Sequence, residues 1–520
     1  MHFQTTTYAL CGLRPRKVTV EVDVEEGQPA FAVQGLPDGT TEATCDLLRS
    51  ALGHAGFTFP EGRRIKVRLT PMPLLLGEVD GLALAMAVGI LGASDQLARR
   101  ALGRVAVTGA LREDGTIGPI RGALQIAEAV AEDPQLDSLV VASASAPEAA
   151  CAVGVEVLQL HSLSAARYLA DQDLDRLRPE PRELSVPPEL AALDFASLPG
   201  CEPPRRAAEV AAAGDHSLLL AAPVGAGQSL VAHRIPSILP PLRRPEALEV
   251  LRIASAEKER SASPAAGRPF RSTGPSTDLV AVLGGGHPVN PGEVSLAHNG
   301  VLYLNDIAAF DPEIVEAVAD ARLSRSTYVG SPPEAMPCAF FLIASTALCP
   351  CGSFAAPDRL CSCAESDLAQ HQRRLTIAAE NFDMVSTYGP PTTEDLAAPT
   401  AEPSCAIRSR VMEARARQAA RLGEGRTNRQ MSAAETELCG LSAEAVDAIN
   451  RTLPYPHLAG RRLRVAQVAR TVADLGGSEQ IDTFHVAEAL DLQPDRRPQP
   501  DPAAASQRDS HPLDQVGGTR

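Results

Sequence analysis

The sequence predicts an α/β protein built on parallel sheet, and three observations carry that reading. Val18, Val20, Val22 and Val24 alternate with polar residues, the period of a strand buried on one face. Ser217 to Ala222 is a short apolar run that leads into a glycine-containing loop and then a helical pattern. Gly300 to Leu304 and Ala339 to Ala344 are unbroken apolar runs, as expected of strands buried on both faces of a parallel sheet.

Ile65, Val67 and Leu69 repeat the alternation of the first strand. Between the two, Thr41 to Gly56 carries helical spacing through Ala43, Leu47, Leu48, Ala51 and Leu52, closed by Gly53 or Gly56. Asp114-Gly115, between GALRE and TIGPI, reads as a two-residue hairpin turn. Leu139 to Val141 and Val155 to Leu160 add strands around an Ala-rich helix, which completes one α/β domain over 1–172. The Pro-rich run from Arg178 to Leu190 reads as an extended linker within 173–193. A second α/β unit fills 194–403, and 404–492 is helical in pattern and Arg-rich at its start. The polar, Pro-rich segment 493–520 is expected to be disordered.

At roughly 150 residues per domain, about three domains are expected from 520 residues. The chain has 48 Lys and Arg against 64 Asp and Glu, a net charge of −16. That excludes a surface that grips nucleic acid everywhere and leaves only a local patch for such contact. A hydrophobic content of 44% supplies a core, while 3% aromatic residues and no Trp argue against a base-stacking platform. Every apolar run is broken by Gly, Pro or charge, and the N-terminus lacks the order of a signal peptide. A cytoplasmic protein without membrane contact is expected. Lys17, Lys66 and Lys258 are its only lysines, a compositional bias that keeps Arg abundance from counting as function. Eleven cysteines make an odd count and no disulfide framework.

Two segments carry the chemistry of a nucleotide site. Ala222-Pro-Val-Gly-Ala-Gly-Gln-Ser229 follows a strand and precedes a helix, the setting of a phosphate-binding loop. Backbone N–H groups at the helix start cradle phosphates there, while a Lys neutralises the β and γ oxygens. Gly225, Ala226, Gly227, Gln228 and Ser229 are the candidate binding residues, with Ser229 as the Mg²⁺ hydroxyl. The first Gly is replaced by Ala222 and the Lys by Gln228. Further on, Gly-Val-Leu-Tyr-Leu-Asn305-Asp306 resembles a Walker B strand. Its two polar positions normally hold Mg²⁺ and polarise the attacking water. Here the first is the uncharged Asn305, and Asp306 is one methylene shorter than the usual Glu.

These blocks, with VEVDVEEGQPAFAVQGLPDGTTEA, TGALREDGTIGPIRGAL, SILPPLRRPEALEVLRI and VARTVADLGGSEQIDTFHVAEAL, occur in family order from about residue 10 to 492. The sequence is similar to the ComM-type, YifB-like family of magnesium-chelatase-like AAA+ proteins. The resemblance implies a Lon-protease-like N-terminal domain of the ribosomal-S5 type, a P-loop parallel-sheet domain and a C-terminal helical lid. It also implies ATP or ADP with Mg²⁺, a homo-oligomeric or mixed AAA+ ring, and ATP-driven work on DNA during branch migration and natural transformation.

Against that pattern the departures are systematic. Ala347 stands at the sensor-1 position and Glu380-Asn381 at the arginine-finger position, while Gly274-Pro275 replaces a pair of His. Each such electrostatic stabiliser supplies roughly 3 kcal/mol of transition-state binding. The resemblance therefore predicts a catalytically impaired pseudo-ATPase that serves as an assembly or regulatory subunit in DNA processing. The alternative is an active hexameric DNA motor in which Gln228 and Asp306 cover for the missing Lys and Glu. A degenerate magnesium-chelatase subunit ranks last, because no integrin-like metal-binding domain follows residue 400. A Ser–Lys protease is not expected either. The compared serine region, Gly77 to Leu82, has no Ser, and the lysine region offers Arg121, which does not deprotonate.

Cys349-Pro-Cys351 and Cys361-Ser-Cys363 form two thiolate pairs that match the donor set of a tetrahedral zinc site. The other reading is four reduced thiols in a loop, and family members carry the same pairs. Arg408, Arg410, Arg415, Arg417, Arg421, Arg426 and Arg429 form a local basic stretch through which DNA contact is conceivable. The simpler reading is a solvated or packed helix. Arg461, Arg462, Arg464 and Arg470 lie where a lid approaches nucleotide, and His233, His287 and His298 read as hydrogen-bonded structural residues.

Overall fold

A computed structural model describes residues 1–493 apart from 38, 72–80, 171–173, 181–192, 258–266, 287–288, 331–332, 357–358, 398–400 and 455–458. The Pro-rich run after 180, most of the compared serine region, His287 and the segment after 493 thus lie outside the described residues. The chain divides into two units. The first comprises Met1–Ala192, Pro241–Leu302 and Glu316–Phe340; the second comprises Leu193–Pro240, Tyr303–Val315 and Phe341–Arg520.

The first unit is founded on a seven-stranded sheet. Its elements are β1 (His2–Cys11), β2 (Arg14–Glu25), β3 (Ala30–Gln34), α1 (Thr41–His54), β4 (Arg64–Thr70), α2 (Leu82–Ala93), β5 (Val105–Val107), α3 (Ala123–Glu132), β6 (Ser138–Ala142) and β7 (Glu156–Leu160). The strand order is β3-β4-β2-β1-β5-β6-β7. β1, β2 and β4 pair antiparallel, with Thr5 opposite Val20 and Val22 opposite Val67. β5, β6 and β7 run parallel. The alternation read in β2 and β4 is realised: Val18, Val20, Val22, Val24, Ile65, Val67 and Leu69 are all buried. The apolar helix α2, buried along nearly its whole length, packs on β1 and β2. In α1 the buried face is Leu48, Ala51 and Leu52, and the helix stops at His54 ahead of Gly56 rather than at Gly53.

The hairpin differs from its expectation. Leu111 pairs with Ile117, so Asp114-Gly115 is the tip of a longer loop instead of a two-residue turn. The Asp114 carboxylate accepts from both the backbone N–H and the hydroxyl of Thr116, local bonding that makes the wider turn favourable. 

The chain goes on with α4 (Glu202–Gly214), β8 (Leu218–Ala221), α5 (Gln228–Ile238) and α6 (Arg244–Ser255). α6 belongs to the first unit because it is bonded to α3. Arg252 pairs with Glu128, Gln125 Nε2 donates to the Arg252 carbonyl at 2.7 Å, and the Gly122 N–H donates to the Ser255 carbonyl at 3.0 Å. Ser255 also donates to the buried Glu148 carboxylate. In the same unit His298 is buried, its Nε2 3.1 Å from Glu249. Its Nδ1 accepts from the Ala339 N–H at 3.0 Å, the bonded structural role expected of it. Burial lowers its pKa, which agrees with a neutral ring accepting at Nδ1.

The remaining elements are β9 (Val301–Leu304), β10 (Phe341–Thr346), α7 (Glu365–Ala379), β11 (Met384–Thr387), α8 (Ser404–Leu422), α9 (Ala443–Thr452), α10 (Ala459–Leu475) and α11 (Thr483–Asp491). In the second unit the strands lie in the order β9, β10, β8, β11. β8 is parallel to both β10 and β11, with Leu219 opposite Ala344 on one side and Val385 on the other. Leu218, Leu219, Leu220, Ile343 and Ala344 are completely buried, which explains the unbroken apolar runs. The helices α8 to α11 supply the C-terminal helical region. Among the described residues no helix is long and apolar enough to cross a membrane.

Candidate nucleotide site and cysteine cluster

β8 ends at Ala221 and the chain turns through Pro223 and Val224 to α5, which starts at Gln228. Gly225 and Gly227 have φ of 95° and 87°, left-handed values that glycine adopts without strain. Two such residues alternating in a loop before a helix start make the concave run of N–H groups that receives phosphate. Ala226 is buried between them.

Gln228 changes what that concavity offers. Its Nε2 donates to the Ala222 carbonyl and to the Thr346 carbonyl, each at 2.9 Å. Those bonds tie the loop to the end of β10. The side chain brings no charge to the place where a Lys ammonium would face phosphate oxygens. Segment 222–229 contains no charged residue at all.

The opposite wall is β9. Tyr303 is the single polar-tipped residue in that strand, and its ring is buried. The Tyr303 hydroxyl lies 3.1 Å from Ser229 Oγ and 2.6 Å from Ser345 Oγ, and it donates to Asn305 Oδ1 at 3.1 Å. Ser345 Oγ also donates to Asn305 Oδ1, at 3.2 Å. The structure therefore brings Gln228, Ser229 and Asn305 to one place, linked through Tyr303, Ser345 and Thr346. Ser229 and Asn305, the two candidate Mg²⁺ positions, are joined to one another through a phenol. A neutral amide, hydroxyls and a phenol are poor company for a hard dication, which takes carboxylate oxygen and water. Asp306 follows, exposed and at a φ of 61°, and supplies the one carboxylate of the pair.

Ala347 and Asn381 lie outside this bonded group. Ala347 continues from β10 and has no polar side-chain atom; its carbonyl accepts from His371 Nε2 at 2.8 Å. Asn381 lies just after α7, half-buried, with its amide turned toward the Ile377 carbonyl. Tyr388, just past β11, is buried, and its hydroxyl has no hydrogen-bond partner among the described residues. Burial, with Cys201 and Tyr303 as neighbours, pushes its phenol above the ordinary value.

Beside the phosphate loop stand the four cysteines. The sulfurs of Cys349, Cys351, Cys361 and Cys363 all lie within 4.8 Å of one another. Cys349 and Cys351 are 3.4 Å apart, and Cys361 is 3.7 Å from each of them. Backbone N–H groups point at the sulfurs: Phe354 donates to Cys349 at 3.1 Å and Cys351 donates to Cys363 at 3.3 Å. The Cys351 thiol, bonded by the N–H groups of Ser353 and Ser362, is lowered to about 5.

Comparison with known proteins decides the family. The description "Magnesium chelatase, subunit ChlI" matches residues 194–391, its C-terminal counterpart matches 401–493, and "Subunit ChlI of Mg-chelatase" matches 20–145. The chain is 30% identical over 493 residues to the uncharacterized protein YifB of Escherichia coli, covering 93% of this chain and 95% of that one. It is equally 30% identical over 501 residues to the competence protein ComM of Haemophilus influenzae, with the same coverage. The chain belongs to the ComM/YifB-like, magnesium-chelatase-like family. A protein of Mycobacterium tuberculosis is 32% identical over 366 residues, 68% of this chain and 71% of its own length. In this ComM/YifB-like chain the N-terminal α/β sheet, the P-loop parallel sheet and the helical C-terminal region are the parts the resemblance implies.

The Arg-rich stretch of this family member is largely spent on internal bonds. Arg410 pairs with Glu209 and Glu402, Arg421 with Asp474, Arg426 with Glu435, and Arg429 with Asp383. Arg415 donates to the Ala212 carbonyl and Arg417 to the Asp474 carbonyl. Arg408 is exposed. Arg470 is 2% exposed, paired with Asp474 and donating to the carbonyls of Cys439, Ser478 and Glu479, so it braces the helical region. Arg462 donates to the Leu453 carbonyl, and Arg464 to the carbonyls of Glu380 and Phe382. His233 Nδ1 is 2.7 Å from the Ser229 carbonyl. Tyr303, Ser345 and Tyr388 are site residues that motif reading missed. Only Tyr303 left a signal, as a phenol inside an otherwise aliphatic strand.

Proposed function

We propose that this ComM/YifB-like protein is a pseudo-ATPase that serves DNA processing as an assembly or regulatory subunit, in a ring with itself or with a catalytically competent relative. The observation that carries this reading is Gln228, whose amide is bonded to Ala222 and Thr346 where phosphoryl transfer needs a cation. Asn305, Ala347 and Asn381 support it, because each replaces a charged or polar group that stabilises charge in the transition state. Losses of this kind are not additive, yet one alone costs about 10²–10³ in rate. Residual binding of ATP or ADP with Mg²⁺ belongs to the reading, since Gly225, Gly227 and the loop N–H groups persist. The place of action is the cytoplasm, where a protein working on DNA beside a relative such as ComM would meet its substrate.

The experiment is phosphate release from MgATP by the purified full chain, with and without branched DNA. The expected result is no turnover above a protein-free blank under either condition. DNA-stimulated turnover on the order of 1 s⁻¹ or faster, an ordinary enzymatic rate, would instead establish an active motor that works through its substituted residues.

A further inference from the structure

We propose that Cys349, Cys351, Cys361 and Cys363 hold one Zn²⁺ as a tetrathiolate, and that this ion fixes the shape of the degenerate phosphate loop through the Gly352–Val224 contact.

The first half rests on sulfur geometry. Zn–S bonds of about 2.3 Å in a tetrahedron put neighbouring sulfurs about 3.8 Å apart. The separations of 3.4 Å and 3.7 Å are close to that edge. They are far from the ~2.05 Å of a disulfide. All four sulfurs meet the condition together, within 4.8 Å, although the pairs come from segments separated by 352–360. The N–H groups of Phe354 and Cys351 aimed at two of the sulfurs are the outer bonds that orient thiolate ligands and stabilise their charge. Soft sulfur donors in a closed set of four suit zinc, and leave no open position for catalysis.

The second half rests on Gly352, the residue after Cys351. Its carbonyl accepts from the Val224 N–H at 2.9 Å, and its own N–H donates to the Cys349 carbonyl at 3.0 Å. Its φ is 75°, and a Cβ placed there would lie 2.3 Å from Val224 Cγ2. The cysteine turn is thus bonded to the phosphate loop at the residue preceding Gly225, with no room between them. Val224 is 67% exposed. A metal that locks the cysteine turn therefore locks the loop. Nucleotide phosphates and a P-loop Lys would do this in a working relative; here the cysteine turn shares the task with the Gln228 bonds to Ala222 and Thr346.

The test uses the full-length protein. Elemental analysis is expected to find one zinc per chain in the wild type and less than a tenth of that in a Cys361→Ser, Cys363→Ser variant. Cobalt exchanged into the wild type should give the thiolate charge-transfer and intense visible bands of a tetrahedral S₄ site, a readout that does not depend on the variant's folding. Amide hydrogen exchange across 222–227 is expected to speed on the order of tenfold when zinc is stripped. Gly352→Ala keeps every thiolate and should keep its zinc, yet show the same faster exchange. A wild-type protein with no stoichiometric zinc and no such cobalt spectrum overturns the metal site. Stoichiometric zinc whose removal leaves Val224 exchange unchanged overturns the coupling to the loop.

Discussion

At the scale of single residues, Gln228 and Tyr303 hold the candidate site together. Gln228 satisfies two backbone carbonyls from within the chain, and Tyr303 gathers Ser229, Ser345 and Asn305 around one hydroxyl. Both satisfy polar groups of the candidate site from within the chain. A buried hydroxyl with three polar neighbours contributes net stability, and its loss leaves those neighbours to find water or go unpaired. Tyr303→Phe is therefore expected to destabilise the protein by about 1–2 kcal/mol, read as a lower urea midpoint with an unchanged slope. A midpoint equal to that of the wild type would mean that the phenol is not part of the packing.

At the scale of elements, the C-terminal helices are organised by buried charge. Arg470 and Asp474 on α10 are 2% and 1% exposed, and Arg421 of α8 and Asn428 reach the same carboxylate. Removing one member of such a group leaves the others buried without compensation, at about 3–5 kcal/mol. Asp474→Ala is accordingly expected to lower the thermal midpoint sharply and to cost about that much in denaturant unfolding; a melt indistinguishable from wild type would contradict the account. Here too lies the line between what sequence pattern reveals and what it hides. Strand alternation in β2 and β4 and the solid apolar runs of β8, β9 and β10 were legible, because side-chain period is set by the backbone alone. The destinations of the arginines were not. Arg421 meets Asp474 and Arg410 meets Glu209, partners remote in sequence that only the packed fold brings near. The width of the 112–116 loop was hidden for a related reason, since it depends on one Asp114 carboxylate choosing Thr116.

At the scale of the whole molecule, clear family membership is compatible with the loss of activity proposed above. The chain covers nearly all of YifB and ComM, and keeps the family's sheets and helical region. The departures that the resemblance implies, among them Gln228, Asn305 and Asn381, fall at positions of the chain proposed to meet nucleotide. Its net charge of −16 works in the same direction, since an acidic surface repels MgATP unless a local cation offsets it. The P-loop motif was legible because its glycine pattern between a strand and a helix is followed by the Walker-B-like run and the other family blocks in order. That Gln228 bonds the Ala222 and Thr346 carbonyls was not, since nothing in the spelling of Gln228 says which carbonyl it meets.

The most direct test of that claim is calorimetric titration of MgATP into the full chain, wild type beside Gln228→Lys. The amide account predicts that the Lys variant binds at least about tenfold more tightly, since a charge-assisted bond to phosphate replaces two internal ones. Wild-type protein that binds MgATP as tightly as the Lys variant would contradict it.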